Sequence, residues 1–230
     1  MTDSLQGQRA RDGATSVRRA VLFDVDGVLL DSSAGYREVW SRWCALRDVD
    51  FELTWTATHG RRPVETVALV APHLQPDREY RVLTGMLAEV TNEVDDVFPP
   101  FMGAADLLHA LPPGAWGVVT SGQRATILAR FEAHGLPRPV VLIDGDAVTA
   151  GKPSPQGYLT AARLLDVAPA DCLVVEDAPA GVQAGKAAGM TVLAITSTHG
   201  GDDLRGADHV TSSLARAALQ VKSWLQIITE

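Results

Sequence analysis

The sequence predicts an α/β protein: a Rossmann-like parallel sheet with helices on both faces and an inserted helical cap. Three observations predict it. Short apolar runs rich in β-branched residues alternate with helix-like stretches, the signature of successive βαβ units. The alternation breaks once, directly after the first run, where helical periodicity continues without any convincing strand. Several of the apolar runs end in polar or acidic residues, and in open parallel sheets the carboxyl ends of the strands are where ligands bind.

Taken in order, Met1 to Ser16 is polar, carries Gly7 and Gly13 and lacks the apolar stretch of a secretory signal, so residues 1–16 read as a frayed, disordered N-terminus. The core begins at Val17. Val21-Leu22-Phe23 is apolar throughout, as expected of a strand covered on both faces, and it leads into Asp24-Val25-Asp26-Gly27. Val39, Trp40, Trp43 and Leu46 then recur at helical spacing, as do Val64, Val67 and Ala68, and Val82, Leu83, Met86, Leu87 and Val90. Residues 33–99 therefore read as a helical insertion bounded by Pro99-Pro100, placed within a core of residues 17–32 and 100–230. Further strands are expected at Trp116–Thr120, Val140–Ile143, Leu173–Val175 and Thr191–Ile195, and helices at Gly103–Leu111, Ala125–His134, Pro155–Leu165 and Ala180–Ala188.

Composition narrows the function. With 46% hydrophobic and 21% charged residues, the 230-residue chain has ordinary globular content, and its formal net charge of -8 argues against nucleic acid or an anionic membrane as main partner. An anionic substrate would need a local basic pocket. No segment is long and apolar enough to span a bilayer. Cys44 and Cys172 lie far apart without metal-ligand spacing, which favours buried free thiols in a reducing compartment. A cytoplasmic monomer is expected.

Asp24 and Asp26, one residue apart at a strand end, should project together into one small cavity. Unscreened, their repulsion would raise one pKa; a divalent cation reverses that and keeps a carboxylate ionised as ligand or nucleophile. A calcium loop would need an acid at position 5, glycine at 6 and glutamate at 12 from Asp24, where the chain has Val28, Leu29 and Gly35. An isolated Asp-x-Asp is by default a capping loop, so the other strand ends supply the context. Thr120-Ser121-Gly122 offers hydroxyls and backbone N–H groups to an anion. In Gly151-Lys152-Pro153-Ser154-Pro155, Pro153 holds Lys152 extended, while Ser154 and Pro155 fit N-cap and N1 of a helix. Glu176-Asp177 adds two acids before Pro179 opens another helix. Together these form an inventory for an oxygen-ligated cation beside a phosphate. Gly181, Gly185 and Gly189 read as close helix packing or a helix end.

In order and spacing, Asp24-Val25-Asp26-Gly27-Val28, Thr120-Ser121-Gly122, Gly151-Lys152-Pro153 and Glu176-Asp177-Ala178-Pro179-Ala180-Gly181 resemble the four motifs of haloacid dehalogenase-like phosphatases. The insertion resembles the helical cap of subclass I. His59-Gly60-Arg61-Arg62 is similar to the His-Gly-x-Arg stretch of members acting on glycerol phosphate and deoxyglucose phosphate.

The resemblance implies a magnesium-dependent phosphatase of small sugar or polyol monophosphates. Asp24 would be the nucleophile, forming an aspartyl-phosphate, and Asp26 the general acid and base. Thr120, with Ser121 and Gly122, would bind phosphoryl oxygens, and Lys152 would hold Asp24 and phosphate together. Mg2+ would sit on Asp24, the Asp26 carbonyl and Asp177, with Glu176 acting through water. His59 and Arg62 would face the substrate from the cap. Val28 stands where many of these phosphatases have threonine, as also in β-phosphoglucomutases. Those mutases usually carry a histidine near the position of Tyr36 and a cap arginine at that of Pro63. A hexose-phosphate mutase is thus the alternative enzyme, and a non-catalytic phosphometabolite-binding protein is disfavoured by the intact acids.

Overall fold

In a computed structural model, which describes residues 18–93 and 97–226, a six-stranded sheet runs in the order β3-β2-β1-β4-β5-β6, with every neighbouring pair parallel. Its strands are β1 Ala20–Phe23, β2 Trp116–Val119, β3 Val141–Ile143, β4 Cys172–Glu176, β5 Thr191–Ile195 and β6 His209–Thr211. The helices are α1 Ser33–Arg47, α2 Phe51–Thr58, α3 Pro63–Val70, α4 Pro76–Glu93, α5 Ala104–Ala110, α6 Arg124–Ala133, α7 Gln156–Leu165, α8 Pro179–Ala187 and α9 Leu214–Trp224. The disordered terminus expected for residues 1–16 lies outside the described residues.

Successive strand residues point to opposite layers. Val21, Phe23, Leu173 and Val175 pack with α5, α6 and α9 on one face; Ala20, Leu22, Cys172 and Val174 pack with α7 and α8 on the other. This two-sided burial is why the strands read as unbroken apolar runs rather than alternating ones. β6 and α9 were not anticipated. His209-Val210-Thr211 is a short edge strand with two exposed residues, so it carries no buried apolar run. Leu214, Ala217 and Val221 do recur at helical spacing along α9.

Residues 33–93 hold α1 to α4 and no strand. They have their own apolar centre, including Val39, Trp40, Trp43, Val67, Leu83 and Val90. Leu46 and Ala68, assigned to apolar faces by spacing, are exposed instead. Glu79 is buried beneath this centre, accepting from Trp43 Nε1 at 2.9 Å and Arg47 Nε at 2.7 Å, so its charge is matched where it is desolvated. At α7 the helix starts at Gln156, one residue later than expected, with Pro155 as its N-cap. Pro155 already has helical dihedrals, so the shift is one of boundary. Both cysteines are buried free thiols.

Candidate active site

Strand register assembles the site. Phe23 pairs with Val175, so the next residues, Asp24 and Glu176, lie side by side at the carboxyl edge of the sheet, and the Asp24 N–H donates to the Val175 carbonyl at 3.0 Å. Lys152 arrives at the same edge from the loop after β3, through a cis Lys152–Pro153 peptide. Its buried Nζ donates to Asp24 Oδ1 at 2.7 Å, Glu176 Oε1 at 2.6 Å and the Val119 carbonyl at 3.3 Å.

Glu176 is wholly buried. Oε1 also accepts from the Tyr158 hydroxyl at 2.8 Å, and Oε2 accepts from the N–H groups of Asp177 and Ala178 at 3.0 and 3.3 Å. With both oxygens engaged, this carboxylate anchors Lys152. A Cβ on Gly181 would overlap it, so the first of the three spaced glycines admits a site carboxylate, while Gly185 packs closely on Val174 and Val192 and Gly189 follows the end of α8 at φ +73°. Gly27, at φ +84°, likewise leaves the space that the Asp177 carboxylate fills. Thr198 donates to Asp177 Oδ2 and touches His199 Nδ1 at 2.9 Å.

Asp24, Glu176 and Asp177 each offer an oxygen within 4.8 Å of the others. With all three carboxylates ionised, the single Lys152 ammonium would leave the cluster two negative charges in excess. Burial, opposed by Lys152 and reinforced by Glu176 and Asp26, raises Asp24 from 3.8 to about 7. Burial, with Glu176 and Asp24, raises Asp177 well above the usual carboxylate range. Burial works against the charge on Lys152, but Asp24 and Glu176 overcome it and hold its pKa above the ordinary lysine value. An all-oxygen donor set with one oxygen of Asp24 and one of Asp177 left by Lys152 and Thr198 fits a hard divalent cation.

Asp26 stands apart from this cluster, in the turn after β1. It faces Arg130 of α6, with Nη1 to Oδ1 at 3.7 Å. Burial raises its pKa, against the pull of Arg130, Ser32 and Lys152.

Asp24, Asp26 and Asp177 share a cavity of about 110 Å³ with Ser121, Gly122, Tyr36, Trp40, Trp55, His59 and Arg61. Thr120 is buried behind it; its hydroxyl accepts from the Gly122 N–H at 3.0 Å and so shapes the loop. Ser121 donates to the Gly60 carbonyl at 3.1 Å. His59 lies edge-on to Trp55 and to His199, each at 4.8 Å between ring centres, and burial followed by His199 lowers it to about 4, leaving it neutral at physiological pH.

Arg62 is placed differently from the expectation that it faces substrate. Glu65, at the start of α3, captures its guanidinium through Nε and Nη2 at 2.9 and 2.5 Å, and the remaining donors reach the carbonyls of Gly145, Val148 and Thr149 at 3.0–3.2 Å. It borders a separate small void with Thr120 and Lys152. Arg61 occupies the cavity wall instead. Sequence reading also missed Arg130, Tyr158, Thr198 and His199. Only Thr198 and His199 had a signal, since they follow directly after β5 at the active edge.

A parallel sheet carrying a buried Asp-Lys-Glu-Asp cluster at its carboxyl edge, beneath a helical insertion, is the architecture of a known class of hydrolases. Residues 18–189 match the haloacid dehalogenase-like hydrolase family, and the chain belongs to it. It is 35% identical over 201 residues to hexitol phosphatase A of Escherichia coli, a match spanning 85% of this chain and 91% of that one. With glycerol-1-phosphate phosphohydrolase 1 of Saccharomyces cerevisiae it shares 32% identity over 194 residues, 81% of this chain and 78% of the other. The structure superimposes on CbbY from Rhodobacter sphaeroides in complex with phosphate with a TM-score of 0.74, at 27% identity, covering 89% of this chain and all of that one. No helix among the described residues is long and apolar enough to cross a membrane.

Proposed function

We propose that the protein is a magnesium-dependent phosphatase of small sugar or polyol monophosphates, with residues 33–99 acting as a cap over a core of residues 17–32 and 100–230. The observation that carries this reading is the buried cluster of Asp24, Lys152, Glu176 and Asp177, of which Asp24 and Asp177 line one small cavity with Asp26. The hexitol and glycerol phosphatases at 35% and 32% identity support the substrate class, and so does a cavity too small for a macromolecule.

In this reading an Asp24 oxygen attacks phosphorus as the bond to the leaving oxygen breaks, and Asp26 gives that oxygen its proton. Water then attacks the aspartyl-phosphate, Asp26 takes the water's proton, and phosphate leaves as Asp24 is restored. Lys152, fixed by Glu176, steadies Asp24 and the phosphoryl charge. The backbone N–H groups of the loop shaped by Thr120, together with Ser121, hold the phosphoryl oxygens. Asp24, Asp177 and the Asp26 carbonyl would hold Mg2+, which when bound supplies the positive charge that the cluster lacks and lets Asp24 stay ionised. Burial raises the pKa of Asp26, the direction that suits a group which must carry a proton at one stage and lose it at another.

The test is a panel of hexitol, hexose and glycerol phosphates incubated with magnesium. Inorganic phosphate should appear in proportion to substrate consumed, without a bisphosphate activator. Bisphosphate-dependent conversion of β-glucose 1-phosphate to glucose 6-phosphate with little phosphate released would replace this reading with the mutase.

A further inference from the structure

Arg130 lies on α6, outside every motif that carries the family resemblance, yet it is buried beside the site. Its guanidinium sits 3.4 Å above the centre of the Phe98 ring, and Nη1 donates to the Tyr36 hydroxyl at 3.2 Å. The same Nη1 is 3.7 Å from Asp26 Oδ1, and both Oδ1 and Arg130 Nη2 are buried with no hydrogen-bond partner. A buried polar atom without a bonded partner is costly, so a guanidinium and a carboxylate that lie this close, each with one such atom, call for an explanation.

We propose that Arg130 is a positioning residue for Asp26: it attracts the carboxylate from behind, at a distance that orients it without taking up the oxygen needed for proton transfer. Oδ1 itself is closed to solvent, so at 3.7 Å Arg130 attracts the oxygen turned into the protein, and the rest of the part-exposed carboxylate is left for the leaving oxygen and for water. The stack on Phe98 and the bond to Tyr36 fix the guanidinium at the two chain crossings between core and cap, since Tyr36 opens the insertion and Phe98 closes it. The placement of Asp26 is thereby tied to the seating of the cap.

This inference rests on Asp26 being the general acid, and the test separates the two. Values of kcat/KM are measured for an alkyl monophosphate, whose leaving oxygen needs a proton, and for p-nitrophenyl phosphate, whose leaving group does not. Asp26→Asn tests the underlying reading and should depress the alkyl substrate far more than the aryl one. Arg130→Met, similar in length and able to pack on Phe98, should lower the alkyl-to-aryl ratio by about tenfold or more, a fraction of the ~10²–10⁴ typical of acid–base catalysis. Arg130→Lys should recover part of it. In the Asp26→Asn background, Arg130→Met should lower the ratio no further. Thermal melts of each variant monitor folding. Equal losses on both substrates, or an undiminished ratio in a folded Arg130→Met protein while Asp26→Asn discriminates, would overturn the positioning role. Absence of discrimination in Asp26→Asn would remove the acid assignment and this inference with it.

Discussion

Replacing Gly181 by alanine gives the sharpest test of how the site is built. On helix propensity alone the change inside α8 should stabilise by about 1 kcal/mol. The structure reverses the sign, because the new Cβ would occupy the volume of the Glu176 carboxylate, which is wholly buried and engaged by Lys152, Tyr158 and two backbone N–H groups. Overpacking a tight interior costs about 1–3 kcal/mol. Breaking a buried ion pair outright costs about 3–5 kcal/mol, of which a displaced carboxylate loses a part. Set against the propensity gain, the net is a destabilisation of roughly 2–4 kcal/mol, or a Tm lower by roughly 4–16 °C for a chain of this size. Turnover should fall with it, by about 10²-fold if Lys152 moves by an ångström. Gly85→Ala in α4 is the control: nothing lies within 4 Å of its Cβ position, so it should stabilise by about 0.5–1 kcal/mol and leave turnover alone. Thermal and urea melts with steady-state kinetics read both. A Gly181→Ala protein as stable and active as the parent would refute the claim that this glycine exists to house Glu176.

Asp24→Asn should abolish turnover with the fold intact, detected by phosphate release and circular dichroism. Because folding raises Asp24 from 3.8 to about 7, the folded chain binds the extra proton between those values, so metal-free stability should fall as pH rises through that window; a Tm series should show Asp24→Asn flattening the decline. Chelation should remove activity and magnesium restore it, and Asp177→Ala should raise the magnesium needed for half-maximal rate, whereas full activity after exhaustive chelation would contradict the metal assignment. Replacing Arg61 or His59, which line the cavity, should reorder the substrate panel, whereas Arg62→Ala should shift kcat and KM together across all substrates, since its guanidinium grips the core.

The acids were legible because Asp24, Asp26, Glu176 and Asp177 lie at or within three residues of the end of an apolar strand, where parallel pairing brings them to one edge; Lys152, nine residues past β3, was legible through the prolines that fix the loop around it. The helical insertion was legible through its spacing, down to Trp43 in its apolar centre. Arg130 was not: its neighbours Tyr36 and Phe98 lie on other elements, and an arginine within a helix gives no hint of which face it buries. Direction defeated the reading of Arg62 for a similar reason. The four-residue span from Glu65 back to Arg62 is visible in sequence, but the three carbonyls that complete the grip come from residues 145–149. Spacing placed Gly181 in a packed helix; only the fold reveals that its neighbour is a carboxylate.

The grip of Arg62 and Glu65 on the core has a bearing on how such a protein can change over generations. It is made to backbone atoms, the carbonyls of Gly145, Val148 and Thr149 and the N–H of Gly151 at 2.9 Å, and not to side chains. Asp146, Ala147, Thr149 and Ala150 are exposed and can be exchanged without loosening this contact. The glycines at either end of the stretch are different: a Cβ on Gly145 would strike the Ser121 carbonyl, and one on Gly151 the Glu65 carboxylate. Mutational freedom is thus confined to a short exposed run between two fixed points, so this loop can drift while Lys152, one residue beyond, keeps its place.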